Sequence, residues 1–251
     1  MKRILSAVLT LSLTVGLTSG CASMKRMNVG RTAAAILISD EQEAQLGLQV
    51  KKELETKEKI KYLEDQVVVD YVRNVSTRIL QQANKDRQGV KWKVNVIDDP
   101  KTVNAFATPG GYLYVYTGLL LAAENEAELA GVMGHEAAHV TGRHSAQALM
   151  LQYGEQAIID AALGKNSGTV AQIAAGLAGN GAGLAFSRGN ETEADELGAK
   201  YTSATGYDPH GLVTFFQKLA AQEGNTPGFM KWLSTHPPSA DRVKHLNGYI
   251  T

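Results

Sequence analysis

The run Ala130-Gly131-Val132-Met133-Gly134 leads without a break into His135-Glu136-Ala137-Ala138-His139, and this join constrains the fold more than any other feature of the 251 residues. Asn125 with Glu128 reads as a helix start, and Leu129, Val132 and Met133 carry on the helical period. On such a helix His135 and His139 lie one above the other, roughly 6 Å apart. Two imidazoles placed this way can each offer a nitrogen to one tetrahedral metal ion. Glu136 sits about 100° further round, able to reach a metal-bound water without being a ligand. Zinc would lower the pKa of that water and polarise a carbonyl, while Glu136 takes the proton and hands it to a departing amine. The rest of the fold has to bring a third donor against this helix.

Two places can supply that donor. Gly142 stands three residues after His139, as in the metzincin pattern, but that pattern needs histidine at 145, where the chain has Ser145; the histidine is His144. One residue turns a side chain well round a helix, so His144 reads instead as a group near the helix end, facing C-terminal carbonyls. Downstream, Glu191-Thr192-Glu193-Ala194-Asp195 sets Glu191 and Asp195 at i, i+4, on one helix face. Glu191 can then bind zinc while Asp195 accepts a hydrogen bond from a ligand histidine and fixes its tautomer. Surface carboxylate pairs share this spacing; the histidine helix is what gives the pair its weight.

Around these motifs the period of the chain changes twice. Ser39 with Gln42 is a capping-box pattern, opening a helix to about Lys59 with Leu46, Val50 and Leu54 on one stripe. A second helix from about Asp65 to Gln82 carries Val68, Tyr71, Val72, Val75 and Ile79. Val90, Trp92, Val94 and Val96 then alternate as in a half-buried strand, broken by Asp98-Asp99-Pro100. Asn104 to Tyr116 reads as two short strands around Pro109-Gly110-Gly111. From Thr117 the chain is mostly helical, with Asp208-Pro209 and Ser239 as later starts. Helices, a small sheet, then helices make an α+β domain. Residues 164 to 189 hold seven glycines, which suit close helix packing at Ala174 to Leu177 and a mobile cover at Gly179 to Gly183. Basic and acidic residues balance at 25 each, so no basic excess points to nucleic acid.

The first 20 residues read as a signal peptide: Lys2 and Arg3, then the apolar stretch Ile4 to Leu17, then Thr18-Ser19-Gly20 before Cys21. An ordinary signal peptide is one reading. The sharper one is a lipoprotein leader cut before Cys21, whose thiol takes lipid, although Thr18 stands where such leaders usually have Leu. Cys21 is the single cysteine, so no intrachain disulfide is available to it. Residues 21–38 then form a tether and 39–251 one domain. Ala22 after the cysteine, by resemblance to Gram-negative lipoproteins, implies the outer membrane, with the domain facing the periplasm. No other stretch offers about 18 consecutive strongly apolar residues, so no further membrane span is expected.

Gly134 to Val140, Asn104 to Gly111, Phe186-Ser187-Arg188, Glu191 to Asp195 and Thr235-His236-Pro237 occur in this order. Together they resemble the gluzincin peptidases that include HtpX and the CAAX prenyl endopeptidases, in the soluble periplasmic lipoprotein branch, over roughly residues 40 to 250. The resemblance implies a zincin-like, mostly helical domain with a small sheet beside the histidine helix. It also implies one zinc per chain on His135, His139 and Glu191, with Glu136 as base and Asp195 behind the ligands. Endopeptidase action on misfolded or unassembled envelope proteins follows from it, with outer-membrane assembly machinery as a candidate partner. The rival is a zinc-binding periplasmic chaperone or assembly factor that holds clients in the same cleft. Glu136 favours the enzyme, since a pure binding module has no need of a base beside its metal.

Two expectations concern the cleft. In Ser234-Thr235-His236-Pro237-Pro238 the prolines stiffen the loop, fixing where the imidazole projects. His236 is expected to face the zinc, either filling its fourth position at rest or donating to the oxyanion; a capping or solvated loop histidine is the alternative. The strand near Asn104 to Thr108 either offers an edge to an extended substrate or serves only to bury Phe106.

Overall fold

Ser39 opens helix α1 (Asp40–Thr56) through the expected reciprocal bonds: the Gln42 N–H donates to Ser39 Oγ at 3.2 Å, and the Ser39 N–H donates to Gln42 Oε1 at 2.9 Å. The computed structural model describes residues 38–179, 183–221, 230–237 and 239–250; Cys21, the leader 1–20 and the tether up to residue 37 lie outside them, as does most of the Gly179 to Gly183 stretch. Leu46, Val50 and Leu54 are fully buried, as their stripe predicts. The helix ends short of Lys59, which lies in the left-handed region at φ 54 and cannot extend it. Asp65 caps α2 (Gln66–Asp86), accepting from the N–H groups of Val67 and Val68. Its core stripe is Val69, Val72, Val75 and Ile79, continued to Ala83, so the helix outruns Gln82; Tyr71 is exposed.

Strand β1 (Lys93–Ile97) starts later than the alternation from Val90 implies. It pairs in parallel with β3 (Tyr112–Tyr116), and the Lys93 N–H bond to the Gly111 carbonyl is where pairing begins. Strand β2 (Ala105–Thr108) lies antiparallel to β3 at the sheet's edge, giving the order β1-β3-β2. The β2–β3 turn needs glycine: Gly110 and Gly111 have φ of 79° and 97°, and a Cβ on Gly111 would fall 2.5 Å from Val90 Cγ1.

Strand side chains alternate between faces, and here each face has its own core. Ala105, Ala107, Leu113 and Val115 join α2 in one; Phe106, Tyr114 and Tyr116 join α1 in the other. A short α3 (Thr117–Ala122) leads into α4 (Glu126–Thr141), where every residue from Glu128 to Thr141 is buried. The chain then supplies the second core with α5 (His144–Tyr153), α6 (Glu155–Ala162) and α7 (Ser167–Ala178). It returns to the first with α8 (Arg188–Ser203), α9 (Gly211–Ala221), the short α10 (Met230–Thr235) and α11 (Ala240–Ile250). The result is the expected α+β, zincin-like arrangement, with α4 at its centre and the sheet beside it.

Two contacts fix α4. Against α8 the backbones touch: a Cβ on Gly198 would lie 2.9 Å from the His135 nitrogen, and one on Gly134 would lie 2.9 Å from the Gly198 carbonyl oxygen. At its C-terminal end, Arg87 donates to the Val140 carbonyl at 2.8 Å and to Glu43 at 2.9 and 3.1 Å. Arg143 meets the same Glu43 at 2.8 Å and donates to the Ile38 carbonyl at 2.6 Å. These charges are buried and mutually paired, the condition under which burial is tolerated. Among the described residues no helix is long and apolar enough to cross a membrane.

Candidate active site

Asn125 caps α4, accepting from the Glu128 N–H at 3.0 Å, and sets the phase that turns His135 and His139 to one side. Their Nε2 atoms are 3.0 Å apart. Helix α8, capped by Ser187 on the Asn190 N–H, starts beside them and presents Glu191. Its Oε1 lies 3.4 Å from His139 Nε2 and its Oε2 lies 3.6 Å from His135 Nε2. His236 follows α10 and points inward: Nδ1 is 3.0 Å from Glu191 Oε1 and 3.2 Å from His135 Nε2, while Nε2 is 3.5 Å from Glu136 Oε1. One donor atom from each of His135, His139, Glu191 and His236 lies within 4.8 Å of the others, and all four residues are buried.

The far sides of these groups are held as well. Asp195 Oδ1 stands 3.0 Å from His135 Nδ1. Arg242, from the first turn of α11, grips both Asp195 oxygens at 2.8 Å and reaches Glu191 Oε2 at 2.7 Å. His144 is fully buried at the start of α5, with Nδ1 3.1 Å from His139 Nδ1. It does not face the helix-end carbonyls, as its sequence position suggests, because Arg143 before it takes a left-handed φ of 58 and folds the chain back. Phe186 stacks on His139 with ring centres 3.9 Å apart. Arg242 leaves one trace in the sequence: a cation in the first turn of a helix opposes the helix dipole and calls for another reason to be there. The place of His144 leaves none, since a left-handed arginine has no local signature, and Phe186 enters only through the Phe186-Ser187-Arg188 motif, which does not announce the ring stack.

The donors suit a cation. A carboxylate beside His135 Nδ1 requires the ring proton there, leaving the Nε2 lone pair turned towards His139 Nε2. Burial pushes the His139 imidazole well below its ordinary pKa, so it stands neutral with a lone pair of its own. Burial alone would raise Glu191, but the positive charge around it, that of His236 first, holds it far below the usual carboxylate range. Lone pairs of buried imidazoles converging on an ionised carboxylate are what a metal ion relieves. Burial instead raises Glu136, the direction a general base needs, with His236 and His135 partly opposing.

A cavity of about 410 Å³ opens onto this cluster, with Glu136 and His236 on one side and Asn104, Phe106 and Ala107 on another. The core reading of the strand holds, and β2 lies at an edge of the sheet. Phe106 is buried and stacks on Tyr114, with ring centres 4.6 Å apart. Because the Asn104 carbonyl accepts from Tyr116 in the ladder, the main-chain groups of Ala105 and Ala107 point away from β3.

The model of peptidase family M48 matches residues 69–250. The chain belongs to this family. Relatives include the mitochondrial metalloendopeptidase OMA1 of Schizosaccharomyces pombe, 34% identical over 72% of this chain and 52% of that protein. The β-barrel assembly-enhancing protease of Yersinia pestis is 32% identical over 84% of this chain and 44% of its own length, and that of Escherichia coli K12 is 29% identical over the same shares. The chain thus spans about half the length of these relatives. These relatives carry metalloendopeptidase and protease names, and the M48 family implies a metal, for which the His-His-Glu-His group is a fitting host.

Proposed function

We propose that this chain is a zinc-dependent endopeptidase that cuts misfolded or unassembled cell-envelope proteins. In this reading His135, His139 and Glu191 hold the metal, Glu136 is the base, Asp195 orients His135, and His236 occupies a further metal position at rest. The observation that carries it is the convergence of three buried imidazoles and Glu191 beside an uncapped Glu136 at the mouth of a cavity. Bound there, zinc would supply a water of lowered pKa and a Lewis acid for the scissile carbonyl. Glu136, raised by burial, takes the proton of the attacking water and gives it to the leaving amine. Ala105 and the Ala107 N–H offer main-chain bonds to an extended substrate, which selects unfolded chains because a folded one has no strand to add.

The envelope setting draws on Cys21 and the apolar leader, and on relatives named for β-barrel assembly. In this reading lipid at Cys21 ties the domain to the periplasmic face of the outer membrane, near the assembly machinery that yields faulty clients. The test compares wild type with Glu136→Gln on an unfolded protein, with bound zinc measured in both. Hydrolysis falls by about a hundredfold or more while zinc stays. Full activity in the variant would sink the mechanism and leave the holding factor as the better reading.

A further inference from the structure

His135 has a carboxylate at its Nδ1; His139 has a second imidazole there instead. One proton serves the 3.1 Å contact between His139 Nδ1 and His144 Nδ1. If His139 turns its Nε2 lone pair to the metal, its own Nδ1 carries that proton and donates it. His144 Nδ1 must then be bare, and its ring proton moves to Nε2. That atom is buried, makes no hydrogen bond, and has a Glu193 oxygen 3.5 Å away. The opposite direction of donation would put the His139 proton on Nε2 and remove the ligand.

We propose that His144, with Glu193 beside its Nε2, is a positioning residue that holds His139 in its metal-binding tautomer, matching on this side what Asp195 does for His135. This rests on the reading of His139 as a ligand. The backbone is shaped for the task. Gly142 has φ −77 and ψ −9, which any residue adopts, yet a Cβ there would lie 2.3 Å from His144 Nε2. Glycine is required for the room it leaves to the ring. Arg143, held left-handed by its bonds to Glu43 and Ile38, turns His144 back over the end of α4. Partners behind metal-bound histidines typically matter about 10–100-fold in affinity.

The experiment titrates zinc against a chelator in wild type, His144→Leu and His144→Asn, and records the visible spectrum of each protein loaded with cobalt. Asn places an acceptor oxygen where Nδ1 stands; Leu places none. His144→Leu is expected to lose about 10–100-fold in zinc affinity and to shift the cobalt bands, with His144→Asn restoring both. Nitrogen NMR of the zinc-loaded wild type needs no variant: His144 is expected protonated at Nε2 and bare at Nδ1. The proposal is overturned if His144→Leu binds zinc as wild type does, or if the NMR finds the proton on Nδ1. A wild type that binds no zinc overturns the ligand reading itself, a separate and recognisable result.

Discussion

Gly198→Ala tests whether the backbone contact between α4 and α8 sets the site. The added Cβ would meet the His135 nitrogen at 2.9 Å and the Gly134 carbon and His135 Cα at 3.1 Å, all main-chain atoms. No rotamer relieves such contacts, so the helices must part by about half an ångström to reach ordinary van der Waals distance. Overpacking of this kind costs typically about 1–3 kcal/mol, and the better helix propensity of Ala returns about 1. With relief this poor the net loss should be about 1–2 kcal/mol, which lowers Tm by about 2–8 °C in a domain of this size. The same movement carries Glu191 and Asp195 away from His135 and His139, and metal sites tolerate only about 0.2 Å. Zinc affinity should therefore fall with stability. Gly189→Ala, on the same helix, is the control: its Cβ meets nothing nearer than Ser187 Oγ at 3.9 Å. Thermal melts of zinc-loaded and chelated protein, with chelator competition, measure both effects. If Gly198→Ala melts and binds zinc as Gly189→Ala does, close approach is not what positions the ligands.

If His236 fills a metal position at rest, as proposed, His236→Ala should raise peptide hydrolysis; a fall in turnover with zinc retained would favour the oxyanion role instead. Arg242→Met strands two buried carboxylates, so the metal-free protein should lose about 3–5 kcal/mol and the zinc-loaded form less, because the ion also offsets Glu191; equal losses in chemical denaturation would refute this. Cys21→Ser should abolish lipid labelling and release the domain from membranes without lowering its melting temperature; membrane fractionation after a high-salt wash would show another anchor.

Much of the site was legible because its parts are local. His135, Glu136 and His139 share one helix, and so do Glu191 and Asp195, so spacing alone gave each face. The caps at Ser39 and Asn125 likewise act within four residues. What the sequence hides is whatever crosses between elements. Arg242 reaches Asp195 from 47 residues away, and Gly134 and Gly198 matter only because they meet. Helix periodicity carried through Arg143 misplaces His144, because no propensity predicts a left-handed backbone at Arg143. Alternation likewise places the start of β1 too early: Val90 and Trp92 alternate correctly, but the parallel partner strand begins only at Tyr112.

The arginine clasp at Glu43 has a mechanical consequence. A pull on the chain ahead of residue 38 enters the domain at the Ile38 carbonyl, which Arg143 holds. From there the load passes through Glu43 to Arg87 and ends on the Val140 carbonyl, one residue beyond His139. Several charge-assisted bonds share it, each stronger than a neutral one, so the join resists tearing. The part of the fold that first feels a load on the chain ahead of residue 38 is therefore the end of the helix that carries His135 and His139.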